Sequence, residues 1–548
     1  MTTLDRRNFI KVAAVGTGVV ATGALAACSP TNNAKTNTKT ASTGAIDWAE
    51  EYDVVVVGCG GAGACAALSA LENDPTTTVA IFECASSIGG NSALNRGNYG
   101  AAGSDIQKKQ GETDELFRDD SADLYFAEKC KLGDYRMDPK LTRIFADQCL
   151  EGLHWLQNLG IEFQKAGMYD ESIPAPENLQ GLKLHMQFNP DFTNGAWLGV
   201  QTKGRHHKSG TYKGETGGKA MITAILDRMN ELGDVQIFTD SPVTSLIREE
   251  QLAGDVLGVY VQKEGKDPVA IRAKRGVILT AGGFSANVDM CRLHDPRIPE
   301  DCSNTGCASV DGAILTAAVD IGAETRQMDF IQHTFEVSAV DHTIAPTFLK
   351  RGAYINVDSE GKRFWKEMEN KAAFRDARVT LLHELGHNLW WSVTDSAAIE
   401  RLQLKEEAVT KALEKGITVK ADTLEELAGL MEIDPNALQT TVDRWNGFCE
   451  AGVDEDFGQE SMFLHSINKP PYYAEKRCYY IHSTPGGLTI NENTQVIDRH
   501  NQPIGRLYAA GEITGGVHGT ERNGGCSWTD CVVFGRIAGR EASSETAA

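Results

Sequence analysis

The chain has 548 residues, enough for two or more domains around sizeable cores. Its hydrophobic content of 41% and its 55 glycines speak against a disordered or fibrous chain and fit a loop-rich α/β enzyme. A formal charge of −22 argues against nucleic acid or an anionic membrane surface as a partner, although a basic pocket can sit in an acidic shell. The 13 cysteines contain no CxxC or CxxCH spacing for zinc, an iron–sulfur cluster or haem. Cys59, Cys65 and Cys84 lie in apolar or glycine-rich settings and read as small buried residues.

The first segment reads as an address. Asp5-Arg6-Arg7-Asn8-Phe9-Ile10-Lys11 precedes the mostly apolar run Val12–Ala27, too short to span a bilayer convincingly. Paired arginines ahead of such a run make residues 1–27 a twin-arginine signal, the route for proteins exported already folded. Export to the cell envelope or periplasmic side follows. Leu25-Ala26-Ala27-Cys28 resembles a lipobox, so a lipid anchor at Cys28 and ordinary cleavage after Ala26 both stay open. Residues 28–47, rich in Thr, Asn and Lys, form a polar linker.

Next comes the densest signal. Val54–Val57 run into Gly58-Cys59-Gly60-Gly61-Ala62-Gly63, and a second apolar strand, Val79–Phe82, ends in Glu83. This order predicts strand, glycine turn, helix and strand. Gly58 makes the tight turn, Gly60 admits a pyrophosphate to the backbone, and Gly63 lets helix and strand pack closely. The helix start, Gly60 to Gly63 with Gly61 and Ala62 between, offers N–H groups and partial positive charge to phosphates. Glu83 suits a ribose diol and disfavours a 2′-phosphate.

Gly90-Asn91-Ser92 and Gly97 follow in a glycine-dense stretch suited to lie along a cofactor, then a helical zone over 114–159 and a helix over 220–232. Strands are expected around 235–238, 256–262 and 277–281, the last ending in the small turn residues Gly282 and Gly283. Residues 423–446 read as two helices broken at Asp434-Pro435. A short strand from Leu507 ends in Gly511-Glu512, and a helix starts at Cys526 and runs to about Ala538. Gly524 to Ser527 thus present N–H groups at a second helix start. A glycine turn near one end, answered by an Ala-Gly-Glu turn near the other, is what a flavin dinucleotide requires. No second GxGxxG provides for a nicotinamide, so electrons are expected to come from, or go to, another protein.

These stretches, above all Leu507–Gly539, resemble the flavoproteins of the fumarate reductase and succinate dehydrogenase family. Within it, the layout is similar to that of exported single-subunit fumarate and urocanate reductases. The resemblance runs from about Glu51 to Ala542 and implies an α/β fold. A glutathione-reductase-type, Rossmann-like FAD-binding domain (48–324 and 479–545) is interrupted by an α+β capping domain (325–478). It implies FAD held at Gly58, Gly60, Gly61, Ala62, Gly63, Glu83, Gly90, Asn91, Ser92, Gly97 and Val243, and again at Gly282, Gly283, Gly511, Glu512, Cys526, Ser527 and Trp528. No histidine stands between 89 and 103, so the flavin is expected to be non-covalent.

By the same resemblance, His482 and Arg522 clamp a substrate carboxylate, His333 is the third histidine, and Arg375, followed by Asp376, is the proton donor. Arginine suits a carboxylate because its fork binds both oxygens. An ungapped match puts Lys371 in the donor's place, so both remain open. The family's relay glutamate is absent, because Phe348 stands three residues before Arg351-Gly352. The implied activity is reduction of a C=C bond conjugated to a carboxylate, as a terminal step of anaerobic respiration fed by a cytochrome or a quinol-linked protein. The alternative is a flavin dehydrogenase acting on a CH–CH group of a steroid-like substrate.

His383-Glu384-Leu385-Gly386-His387 is a full HExxH, but Gly386 is a helix stop and the expected third zinc ligand is Val393, so no metal is expected. The pair His206-His207 reads as a solvated loop rather than a substrate contact. Trp528 reads as core more than as pocket lining, and His518 as a structural hydrogen-bonding residue at least as readily as a catalytic one.

Overall fold

The computed structural model describes residues 46–113, 117–166, 203–233, 235–263, 265–342, 354–367, 372–401, 404–459 and 461–547, the side chains of 164–166, 336, 372–375 and 462 excepted. The signal and most of the linker expected at the start lie outside these residues. Residues 47–548 form one compact unit.

The main sheet has eight strands, and its core is parallel. Trp48–Val57 sits in the middle, paired with Val79–Phe82 on one side and Val269–Leu279 on the other. Val235–Phe238 extends one flank and Pro503–Ala509 the other. Val54 to Val57 are buried, as expected of β-branched residues in a strand covered on both faces. A hairpin, Val243–Glu250 with Ala253–Val261, pairs with the first half of 269–279. Because the core strands are parallel, the residues following Val57, Phe82, Leu279 and Ala509 all emerge at one edge.

Two helices cover one face. The first, Gly61–Asn73, packs on the last, Cys526–Ser544. A β-carbon on Gly535 would lie 2.6 Å from the Ala62 carbonyl oxygen, and one on Gly539 would lie 2.0 Å from that of Ala66. The equal spacing of these contacts makes the helices parallel, with both N-termini at the same end. Only glycine permits so close an approach.

A second, antiparallel sheet orders Gln332–Ser338, Tyr472–Ser483, Trp390–Asp395 and Ile355–Val357, with Thr418–Ala421 also on the long strand. It has its own apolar cluster, including Val393, Leu427, Leu438, Val442 and Trp445. The helix pair expected over 423–446 spans Leu424–Met431 and Pro435–Ala451. Thr423 with Glu426 closes a capping box on the first, and Asp434 caps the second ahead of Pro435. The C-terminal helix runs past its expected end near Ala538, because Ala542 stays buried against the sheet.

Two glycine substitutions should move stability in opposite directions. Gly539→Ala drives a methyl into helical backbone and should cost about 1–3 kcal/mol. Gly429→Ala, on the exposed face of its helix with nothing within 4 Å, should gain about 0.5–1 kcal/mol. Denaturant melts of both variants check the signs.

Candidate active site

Ligands of open α/β sheets bind beyond the carboxyl ends of the strands, and the expected cofactor residues gather at that edge. Gly58 turns with φ +96°, where a side chain would meet the Thr280 carbonyl at 2.9 Å. A β-carbon on Gly63 would stand 2.1 Å from the Gly58 oxygen. Beside Gly60 the space is open, the nearest atom being the Ser92 hydroxyl oxygen at 4.0 Å. The helix after it has no side-chain cap, although the Gly61 N–H donates to Ser92 at 3.0 Å. Open backbone and uncapped N–H groups are what a pyrophosphate needs.

Glu83, buried after its strand, accepts from the Cys59 N–H at 2.8 Å and from the Ala85 N–H at 2.9 Å. It therefore fastens the glycine turn, and the Cys84 thiol also donates to it at 3.4 Å. Trp528 reaches back so that a β-carbon on Gly61 would touch its ring at 3.3 Å; the buried indole N–H has no hydrogen-bond partner among the described residues. Gly97 packs against Gly217, and the Asn91 side-chain amide oxygen accepts from the Cys307 N–H at 2.7 Å. Val243 is buried at the start of the hairpin.

Three further loops converge. A β-carbon on Gly283 would lie 2.0 Å from the Thr484 hydroxyl, and the Thr484 N–H donates to Glu512 at 3.0 Å. Burial raises the Glu512 carboxyl above its ordinary value, opposed by the Arg522 charge. Gly282 and Gly511 both hold positive φ, +81° and +78°. Arg522 is half-buried, its Nη2 lying 3.2 Å from the Ser483 hydroxyl and 3.4 Å from the Gln332 amide oxygen. His482, exposed on the long strand, hydrogen-bonds Thr305 through Nδ1 at 2.7 Å. The ladder pairs Gln332 with Ser483 and His333 with Ile481, which makes His482 the extra residue of a bulge, a device that re-aims side chains at functional sites. His333 is buried with its ring edge-on to Tyr479.

Arg375 lies on the helix Ala372–Leu385, its side chain outside those described. Lys371, Phe348, Arg351 and Gly352 also lie outside the described residues. Arg297 anchors this helix from the residue after Arg375 onward, pairing with Asp376 at 2.5 Å and Thr380 at 2.8 Å while Asp295 also holds its guanidinium. Sequence reasoning missed Arg297, Thr305 and Gln332, none of which carries a motif. The helix stops at Leu385 and Gly386 takes φ +72°, so the HExxH does not continue as a helix. No metal-binding cluster occurs among the described residues.

The expectation that His206 and His207 are solvated is wrong. Both are buried in a strand, His206–Ser209, that pairs with Asn98–Gly100. His207 contacts the Ser104 hydroxyl at 2.6 Å and the Arg205 carbonyl at 2.8 Å, and burial pushes its pKa down to about 4. Arg205 itself is buried between Asp120 and Glu128. Cys84 is exposed rather than buried.

Beneath the site lies a second buried set that the sequence did not announce. Lys129 donates to His518 Nδ1 at 3.0 Å, which leaves the ring proton on Nε2, 3.6 Å from Asp530. Burial, then the neighbouring Lys129 and Arg522 charges, hold His518 well below its ordinary pKa. Burial lowers Lys129 and pushes Asp530 up to about 7.

Residues 53–528 match the family model described as an FAD binding domain, and the chain belongs to that family. It is 30% identical over 494 residues to a fumarate reductase (cytochrome) of Shewanella frigidimarina, covering 90% of this chain and 77% of the relative. It is 28% identical to a urocanate reductase of Eggerthella lenta, covering 90% and 75%. Against the NADH:fumarate oxidoreductase of Klebsiella pneumoniae (strain 342) it is 29% identical, covering 90% of this chain but only 48% of the relative. Among solved structures, the open conformation of a flavocytochrome c3 fumarate reductase superposes with a TM-score of 0.73 at 28% identity, over 90% of this chain and 78% of that one. A 3-ketosteroid-Δ4-(5α)-dehydrogenase from Rhodococcus jostii RHA1 superposes at 0.68 with 25% identity, over 91% and 98%. The chain is thus an FAD-dependent oxidoreductase of the fumarate reductase type, acting on C=C or CH–CH groups.

The Asp530 carboxyl ordinarily titrates near 3.8. Raised to about 7, it keeps a proton in the folded state that the unfolded chain has lost, so its contribution to stability falls as pH rises from about 4 to 7. His518 acts with the opposite sign, so the difference between two proteins is the readout. The stability advantage of Asp530→Asn over the parent should grow across that window, by at most about 1.4 kcal/mol per pH unit. Denaturant unfolding at stepped pH checks it.

Proposed function

We propose that this protein reduces the C=C bond of a small unsaturated carboxylic acid of the fumarate or urocanate kind, with electrons delivered by a separate protein. One observation carries the reading. Arg522 stands half-buried where the loops after three parallel strands meet, and among the described residues its guanidinium is gripped by neutral acceptors rather than by a carboxylate. A fixed cation of that kind suits a substrate carboxylate. Names of the relatives, fumarate and urocanate reductases, support the same class.

FAD, once reduced, supplies the hydride. Arg522 and His482 hold the carboxylate and place positive charge where negative charge grows on the substrate. Buried His333, paired with Ile481 beside the bulge that carries His482, adds to that polarity. Arg375, or Lys371 at the other alignment, gives the proton. Guanidinium is a weak acid, above about 12, yet it is competent toward a carbanion, which is the stronger base. The flavin is held without a covalent bond, since no histidine stands between 89 and 103. Export by the twin-arginine route, with lipidation of Cys28 as one form of it, would place the reduction in the cell envelope as a terminal step of anaerobic respiration. A cytochrome or quinol-linked donor suits that setting, and a cytochrome stands in the name of one relative.

The test is anaerobic reoxidation of the reduced protein by fumarate, urocanate, methacrylate, itaconate and cinnamates. One acid should restore the oxidised flavin spectrum rapidly, and Arg522→Ala should lower kcat/KM with it by roughly 10²-fold or more. Reoxidation by none of them, together with flavin reduction by a 3-ketosteroid, would turn the reading to the dehydrogenase.

A further inference from the structure

Gln332 was not among the expected site residues, yet its amide is the centre of the Arg522 grip. It is 5% exposed, on the strand Gln332–Ser338 directly opposite Ser483. A primary amide has two N–H donors and two acceptor lone pairs, and all four are occupied. Nε2 donates to the Glu521 carboxylate and, at 3.0 Å, to the Arg522 carbonyl. Oε1 accepts from the Ser483 hydroxyl at 2.7 Å and faces Arg522 Nη2 at 3.4 Å.

Only one orientation of the amide satisfies these partners. Reversed, its oxygen would face a carboxylate and a carbonyl, and its NH2 would face a guanidinium. Acceptor would meet acceptor, and donor would meet donor. The Ser483 proton goes to Gln332, so the serine lone pairs turn to Arg522 Nη2 at 3.2 Å. Arg522 is thus held from one side by two uncharged oxygens. The one carboxylate in the bracket, Glu521, is engaged by the Gln332 NH2 and by the Arg522 backbone N–H at 3.1 Å. Glu521 and Arg522 are chain neighbours of opposite charge, and the amide stands between the carboxylate and the guanidinium. Neutral acceptors fix a cation without cancelling its charge. An ion pair would do both.

We infer that Gln332 is a positioning residue: it bridges Glu521 and Arg522 so that the Arg522 guanidinium stays oriented and uncompensated, available to an anionic substrate group. The inference rests on the proposed role of Arg522, but its test does not require turnover. Phenylglyoxal labels arginine, and peptide mass mapping reads Arg522 alone. Malonate, an unreactive dicarboxylate, serves as the probe anion. In the flavin-loaded parent, malonate should protect Arg522 from labelling. In Gln332→Glu, nearly the same size, the new carboxylate pairs with Arg522, and the malonate needed for protection should rise at least tenfold. Gln332→Leu removes the bridge and should shift protection in the same direction. Flavin content and melting temperature establish that each variant is folded. With whichever acid the parent reduces, KM should rise at least tenfold in Gln332→Glu while kcat moves far less. Equal malonate protection in parent and both variants, or none in the parent, overturns the inference. If no acid is reduced but protection shifts as stated, the positioning role stands and the reductase reading alone falls.

Discussion

The Gly63 backbone lies so near the Gly58 carbonyl that a single methyl would come within 2.1 Å of it. That contact pins the first helix to the end of the central strand. Thr280 seals it from the next strand by donating to the Val57 and Gly58 oxygens at 2.9 Å, and Glu83 closes it from the other side through the Cys59 N–H. Three neighbouring parallel strands thereby end in one rigid knot. The C-terminal helix, seated on the first through Gly535 and Gly539, inherits its position from the same knot. Both helix starts are set from there.

From this edge the site extends by chain adjacency. Ser483 belongs to the Gln332–Arg522 bracket and Thr484 to the Gly283–Glu512 contact, so the last residue of the long strand and the one that follows it join Arg522 to the loops after two strands of the main sheet. His482, just before them, is tied to Thr305. The loop around Thr305 in turn reaches Asn91 through Cys307. The end of the second sheet is thus tied to the loops of the first through His482 and, just past the strand, Thr484. Arg297 supplies a separate coupling, to the helix that carries Arg375. Buried polar connections of this kind are costly to leave half-made, which favours one arrangement over looser alternatives.

Much of this was legible from residue order. Val54–Val57, the glycine turn, Val79–Phe82 and the Asp434-Pro435 break signal their structure through local rules: β-branched runs make strands, positive φ demands glycine, and proline starts helices. Gly386 stopped its helix for the same reason, and the HExxH lost its geometry with it. What failed was environment. His206-His207 looked solvated because Lys203, Arg205 and Lys208 surround them in the chain, but Arg205 turns into a buried pair with Asp120 and Glu128. Cys84 looked buried by its apolar neighbours, yet it falls just past the strand end and is exposed.

By itself the sequence determined the cofactor class, the family and the order of elements, because these depend on short-range sterics and on spacing within one strand–turn–helix unit. The tertiary structure alone decided which polar groups share a site. Gln332, Ser483 and Arg522 are separated by 151 and 39 residues, and they meet only through a strand pairing and a loop closure. Lys129, His518 and Asp530 meet beneath them across 389 residues of chain. Their charge states follow from burial and from the nearest opposite or like charge, and neither quantity exists until the chain has folded.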